Sequence, residues 1–344
     1  MTPSAPAATM ITGYEQAAAD AAGHVAPLLA ALARVDAAAV PLPGSGRTAE
    51  RFRTLSRVAG IDVTAARVLE PHLDALAILS EAGLPAPAPG TTWGVFAAEA
   101  PGAALEAVEG PDGWTLTGVK PWCSLGGQLS HGLVTARHRD DRRMFTVDLR
   151  QESVQAESAT WVARGLAEVQ SGPLRFDGAS AEEVGGPGWY LSRPGFRWGG
   201  IGVAACWWGA CVPLFRALAD RAATPGNPLL AARVGALYRA LSSGRLQLER
   251  AAALIDAQVA DDAAAVLAHE VRGTVADGVA LTLAAVHDLL GPAALAFDEE
   301  QARRVADLDL YVAQYHRGPD DASLAARLES LASASSLDGE SVWW

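Results

Sequence analysis

Two Pro/Gly-rich breaks constrain this chain more than any other feature, because neither a helix nor a strand runs through such a stretch. The first is Leu84-Pro85-Ala86-Pro87-Ala88-Pro89-Gly90; the second runs from Gly185-Gly186-Pro187-Gly188 to Pro194-Gly195. The apolar spacing changes across each. Before the first, Leu69, Leu73, Leu76 and Leu79 recur at three and four residues, the period of one helix face. Pro71 interrupts that pattern, so the spacing predicts a helix starting there, with Gly83 as its C-terminal stop. Between the breaks the runs are short: Trp93–Glu99, Trp114–Lys120, Gly132–Arg137, Met144–Leu149 and Pro173–Phe176. Turn clusters at Glu109–Gly113 and His138–Arg143 separate them. Short strands at about ten-residue spacing predict a small antiparallel barrel or sandwich.

Beyond the second break the strand signals vanish. Long Ala/Leu-rich segments at about 199–222, 228–259, 262–290 and 298–330 predict a four-helix bundle, punctuated by Pro225-Gly226-Asn227-Pro228 and Gly291-Pro292. The expected fold class is therefore α+β multidomain. It has an N-terminal helical domain (1–90), a central antiparallel β-barrel or sandwich (91–190), a C-terminal four-helix bundle (191–333) and a tail (334–344).

Composition narrows the function. Half of the 344 residues are apolar and 19% are charged, as in a folded globular protein. A net charge of −12 with only isolated basic pairs, Arg142-Arg143 and Arg303-Arg304, argues against nucleic acid as a partner. An anionic substrate would need a local basic pocket. Cys123, Cys206 and Cys211 are too few and too irregular for a disulfide framework and are expected as buried thiols. The Ala/Pro-rich start has no signal-peptide pattern, and Gly, Arg or Asp breaks each apolar segment before 18 residues. A cytoplasmic protein without a membrane span is the expectation.

Isolated motifs give no chemistry. Gly200-Ile201-Gly202-Val203-Ala204-Ala205, with Asp220 downstream, fits the dinucleotide pattern but lacks the preceding strand that pattern needs. Close helix packing is the better account of its small residues. The seven histidines have no metal-ligand spacing, and Ser45 lacks a nucleophile-elbow frame.

The order of phrases along the chain says more. Gly94-Val95-Phe96-Ala97-Ala98-Glu99-Ala100-Pro101-Gly102 resembles the first β-domain motif of the acyl-CoA dehydrogenases. Gly113-Trp114 through Gly118-Val119-Lys120-Pro121-Trp122-Cys123-Ser124 is similar to the hairpin that follows it in that family. Arg164-Gly165-Leu166 with Gly172–Asp177, then Gly185–Trp189, and Arg221 with Pro225-Gly226 and Pro228-Leu229 continue the likeness, which spans about 60 to 315.

The resemblance implies FAD between the β domain and the bundle. Trp122 would lie against the flavin ring, and Ser124 would bond near its hydride-accepting nitrogen. The backbone at Ala98 and Glu99 would meet the pyrimidine end, and Arg221 would pair with the pyrophosphate across a subunit interface. It further implies an acyl-CoA or related thioester substrate, an electron-transfer flavoprotein as acceptor, and a homo- or hetero-oligomer. Gly209, Ala210, Ala217 and Ala231 are expected to let bundle helices approach closely. The chain also departs from the family pattern. Where the family carries its catalytic glutamate, this chain reads Gln314-Tyr315-His316; the first bundle helix, Gly200 to Ala219, has no carboxylate; and Asp288–Pro292 replaces the adenine-contacting phrase. If the chain is a dehydrogenase, His316 or Asp320 is the substitute base. A non-catalytic flavin-binding partner subunit and a flavin-dependent monooxygenase of the same fold are the alternatives.

Overall fold

The computed structural model describes residues 13–35, 39–157, 161–223, 228–259 and 261–334. Four helices come first: α1 (Gly13–Ala21), α2 (Val25–Leu32), α3 (Thr48–Ile61) and α4 (Val63–Glu81). The start predicted for α4 at Pro71 is corrected to Val63. Asp62 is extended and its carboxylate accepts the Ala65 N–H at 2.7 Å, so capping chemistry sets the start. Pro71 sits inside the helix, where it has no N–H to offer the Arg67 carbonyl. At the other end Gly83 (φ 71) turns left-handed, and the Gly83 and Leu84 N–H groups donate to Ser80 and Leu79 O, at 3.0 Å each. That satisfies the last carbonyls as a glycine stop should.

Seven strands follow: β1 (Trp93–Phe96), β2 (Leu105–Gly110), β3 (Gly113–Lys120), β4 (His131–His138), β5 (Asp141–Asp148), β6 (Val154–Ala156) and β7 (Leu174–Val184). Pro111-Asp112 and Arg139-Asp140 make the tight connections of β2–β3 and β4–β5, the latter with Arg139 at φ 56. The pairings β4–β2–β3–β7–β5 return to β4, so the sheet closes on itself as a barrel. It is not purely antiparallel, as the spacing predicted: β1 and β2 both lie parallel to β4, strands reached only by long connections. Local alternation carries no information on such pairings. β6, three residues on the edge of β7, has no sequence counterpart among the expected strands.

The remaining helices are α5 (Trp189–Ser192), α6 (Gly195–Ala222), α7 (Pro228–Asp256), α8 (Asp261–Ala296), α9 (Glu299–Val312) and α10 (Arg317–Ala334). The single helix predicted over 298–330 is thus two. Asp320 accepts the His316 N–H at 3.1 Å and starts a new helix, with Pro319 tolerated in its first turn. Gly291 (φ 73, ψ −179) kinks α8 where a break was expected. Small residues let the middle of α6 pack closely: a Cβ on Gly209 would meet Ser56 O at 2.1 Å, so α3 and α6 touch backbone to backbone. Gly209 and Ala210 are therefore spent inside the chain, while Ala231 stays on the surface.

α6 is the central helix, packed on α3, α4, α7 and α8. Both α6 and α8 are long and apolar enough to cross a membrane by length and composition, which revises the expectation that no segment is; 61% of the apolar stretch of α6 is buried inside the fold, against 28% for α8. All three cysteines are buried free thiols. Thr224–Asn227, which include the Pro225-Gly226 phrase, and the tail from 335 onward lie outside the described residues.

Candidate functional site

Two adjoining cavities lie where the barrel meets the helices. The outer one, about 560 Å³, is walled by β1 and the turn after it, by the loop after β3, and by α4 and the α9–α10 connection. The inner one, about 510 Å³, lies among α4, α6, α8 and α10. They share Arg67, Pro71, Val95, Gln314 and His316.

The loop after β3 explains how Trp122 is presented. Pro121 ends the strand by removing a ladder N–H. Lys120 is buried at the strand end and donates to Thr135 O and Oγ1, both at 2.8 Å, and burial pushes its ammonium down to about 8. Trp122 then adopts φ 58, a left-handed backbone that a bulky residue rarely takes, and Leu125 repeats it at φ 57. The Cys123 and Leu125 N–H groups pin the loop by donating to Gly172 O at 3.0 Å and Gln170 O at 2.8 Å. The indole of Trp122 stays 58% exposed beside the cavity. Such presentation of a large apolar ring at a cavity mouth is what a stacking partner requires.

Ser124 faces the same cavity. Its hydroxyl lies 2.8 Å from that of Ser171 and accepts from Arg67 Nη2 at 3.3 Å. Ser171 in turn donates to Val169 O at 3.1 Å. Ala98 and Glu99 line the opposite wall, where Arg142 holds the turn by donating to Ala97 O and to Thr135 Oγ1 (3.1 Å). Glu99 pairs with Arg137 at 3.4 Å and Arg142 at 3.7 Å. His72 supports β1 from below: its Nδ1 accepts the Trp93 N–H at 3.2 Å, and burial pulls its imidazole down to about 4.

The Arg164-Gly165-Leu166 phrase also has a physical role. A Cβ on Gly165 would lie 1.9 Å from Ala306 O, and the Leu166 N–H donates to the buried carboxylate of Asp307 at 2.5 Å. Thr64 donates to the other Asp307 oxygen at 3.1 Å, so α4, α9 and this loop are tied behind the outer cavity.

Of the residues singled out from sequence, Trp122, Ser124, Ala98, Glu99 and His316 line the outer cavity. Arg221 does not: it is exposed on the last turn of α6 and lines none of the cavities described. His316 is exposed in the α9–α10 connection and reaches both cavities. Beside it, Tyr315 is nearly buried, with its hydroxyl donating to Asp321 at 2.7 Å.

The inner chamber holds what the sequence reading missed. Glu70 and Asp74 stand one helical turn apart on α4, with Arg193, Arg272 and His269 around them. Burial, and then the neighbouring Asp74, pushes Glu70 up to about 7; Asp74 is also raised by burial. Arg193 donates to Glu81 at 2.7 Å, and Arg272 donates to Gly200 O at 2.9 Å while lying over the Trp207 ring. The sequence signal was present: two carboxylates at i and i+4 beside the apolar Leu69 and Leu73 of one helix.

No protein-family model matches this sequence, and no curated protein matches it. Solved structures do. A nitrososynthase from Micromonospora carbonacea var. africana superposes with TM-score 0.74 at 18% identity over 93% of both chains. XiaF from a Streptomyces species, solved in complex with FADH2 and glycerol, gives 0.71 at 16% identity over 92% of this chain and 93% of that one. Butyryl-CoA dehydrogenase from Megasphaera elsdenii gives 0.71 at 15% identity over 84% and 83%. The chain has the acyl-CoA dehydrogenase fold.

Proposed function

We propose that this protein is an FAD-dependent oxidoreductase, with the flavin ring in the outer cavity and the substrate in the inner chamber. The observation that carries the reading is the left-handed, pinned presentation of Trp122 at a cavity that Ser124, Ala98 and Glu99 also line. In it, Trp122 stacks on the ring, the backbone at 97–99 meets its pyrimidine end, and Ser124 exchanges its Ser171 partner for a ring atom. The bound cofactor supplies hydride acceptance, and the chain supplies position and electrostatics. Arg221 would reach the cofactor phosphates only from a second copy. Exposed apolar residues on α7 and α8, Leu229, Tyr238, Leu246 and Leu281, support such an assembly.

The narrower reading, dehydrogenation of an acyl thioester with an electron-transfer flavoprotein as acceptor, is supported by the fold. Its proton acceptor in the chamber would be Glu70 rather than the exposed His316. A second reading, oxygen activation, is favoured by Gln314 and Tyr315 standing where the family carries its carboxylate and by the charged chamber lining.

Purified protein is expected to be yellow, and added FAD should raise its melting temperature. At a hundred times its dissociation constant the ligand contributes about 2.7 kcal/mol. A colourless protein that FAD leaves unchanged overturns the proposal. Anaerobic mixing with a panel of acyl-CoAs then separates the reactions: bleaching of the flavin supports dehydrogenation, whereas NAD(P)H-dependent oxygen consumption without bleaching supports the second reading.

A further inference from the structure

A cation held away from water is costly unless an anion or an acceptor meets it. The chain carries a net charge of −12, yet five arginines line the inner chamber: Arg67, Arg193, Arg197, Arg272 and Arg327. Three carboxylates stand against them, Glu70, Asp74 and Asp320. Asp320 accepts the His316 N–H, while burial pushes Glu70 up to about 7 and raises Asp74, so their charge offsets less than their number suggests. Three of the arginines line this chamber and not the outer cavity, and each has N–H groups to spare. Arg193 is 3% exposed and hydrogen-bonds Glu81 through Nη1 alone. Arg272 is fixed by the Gly200 and Gln314 carbonyls and by the Trp207 ring. Arg327, on α10, is half-buried, and its Nε is closed off from solvent without an acceptor. Among the described residues its guanidinium has no hydrogen-bond, ion-pair or ring partner. Burial holds the His269 imidazole below its ordinary value, and the charges of Arg327 and Arg272 reach that same ring, so the two guanidinium groups converge there.

Resting on the reading of this chamber as the substrate site, we propose that it takes a substrate with an anionic oxygen group, a carboxylate or a phosphate, which Arg327, Arg193 and Arg272 hold. A guanidinium presents a planar fork of N–H groups that matches either oxyanion. A chamber of about 510 Å³ has room for a small molecule beyond that group. The residues it shares with the outer cavity, Arg67 and Pro71 among them, mark the side that faces the flavin, and the three arginines are not among them. The anionic end is therefore anchored away from the flavin, and the rest of the molecule extends toward Glu70 and the shared wall. A substrate whose end in this chamber is a neutral acyl chain would leave Arg327 uncompensated.

The test is isothermal titration calorimetry on the full FAD-loaded chain at constant ionic strength, with glutarate, inorganic phosphate and the neutral glutaramide as probes. Wild type is expected to bind glutarate or phosphate at least about tenfold more tightly than glutaramide, and the tighter anion tells which oxyanion the chamber takes. Arg327→Gln should weaken that anion at least about tenfold with no effect on glutaramide; Arg327→Lys, which keeps the charge, should weaken it less. Arg53→Gln removes an exposed arginine of α3 that lines neither cavity of the site, and it should change nothing. The proposal falls if neither anion binds, if glutaramide binds as tightly as both, or if Arg327→Gln leaves the affinity intact. It falls equally if Arg53→Gln costs as much as Arg327→Gln, since net charge alone would then account for the binding. The wild-type comparison of anion with amide needs no variant, so it decides the matter even where Arg327→Gln fails to fold. Flavin absorbance tells the two failures apart. A chain that takes up FAD but prefers no anion overturns this proposal alone; one that holds the anion through Arg327 yet takes up no FAD overturns the flavin reading and the substrate role with it.

Discussion

The outer cavity and the inner chamber share five residues but are made of different material. The outer one is built from backbone turns of the barrel: the 97–99 turn, the Pro121–Leu125 loop and the Gly165-Leu166 corner. The inner one is built from charged side chains that helices bring together from positions 70, 193, 272 and 320. Turns announce themselves locally, through Gly, Pro and aromatic residues in a fixed order. A charged chamber is visible only when the helices that enclose it are packed.

The comparison can be broken through α4, which lines both cavities and also supports β1. His72, on the barrel side, has its imidazole held at about 4 by burial, below its ordinary 6.5. A depressed base stabilises the fold above pH 6.5 and loses that contribution as pH falls through 4. Wild type should therefore lose about 2–4 kcal/mol on acidification across this window, at 1.36 kcal/mol per unit. His72→Gln should flatten the curve; an unchanged acid limb would remove His72 from its place under β1.

Glu70, on the chamber side, acts in the opposite sense. Its folded value of about 7 lies above the ordinary 4.5, so its contribution is present below pH 4.5 and lost as pH rises through 7. Asp74, Arg67, Arg51 and Arg272 surround it and scale the effect. Glu70→Gln should match wild type at pH 4.5 and exceed it above pH 7 by ~1–3 kcal/mol in urea titrations. Equal stability at both ends would mean that the chamber does not hold this carboxylate away from water.

The smallest expected effects lie in the outer cavity and grade by chemistry. Trp122→Ala should weaken FAD binding by about 1–2 kcal/mol through lost stacking area, and Ser124→Ala by about 1 kcal/mol or less. Trp161→Ala and Trp189→Ala should do less than either, since Trp161 only rims the cavity, with its Nε1 donating to Leu166 O, and Trp189 packs near Arg193. Four equal effects in equilibrium titrations would reduce Trp122 to an ordinary surface residue.

Legibility followed the same division. The Pro111-Asp112 turn was enough to anticipate the β2–β3 hairpin, and Gly83 the end of α4, because each is a local backbone requirement. The start of α4 is set by the Asp62 cap, which outweighs the break that Pro71 suggests in the sequence. The parallel pairing of β1 with β4 joins residues nearly forty positions apart, about the separation of Trp93 and His131, and alternation within either strand is silent about it. Glu70 and Asp74 carry no signal of their own beside the Leu69 and Leu73 face, because α6 and α8, not α4, decide what that side of the helix meets.

The barrel is a hoop with one clasp. Its other joins run over three to eight residue pairs, but β2 meets β4 at a single pair, Glu106 with Arg137. A ring of staves opens first at its shortest seam, so local unfolding of the barrel starts there and not at the long β4–β5 join. Arg137 also reaches Glu99, on the wall of the outer cavity. Arg137 thus joins the clasp to the cavity wall, which Arg142 braces independently, so a grip on that wall is passed through Arg137 to the seam where the hoop is shut.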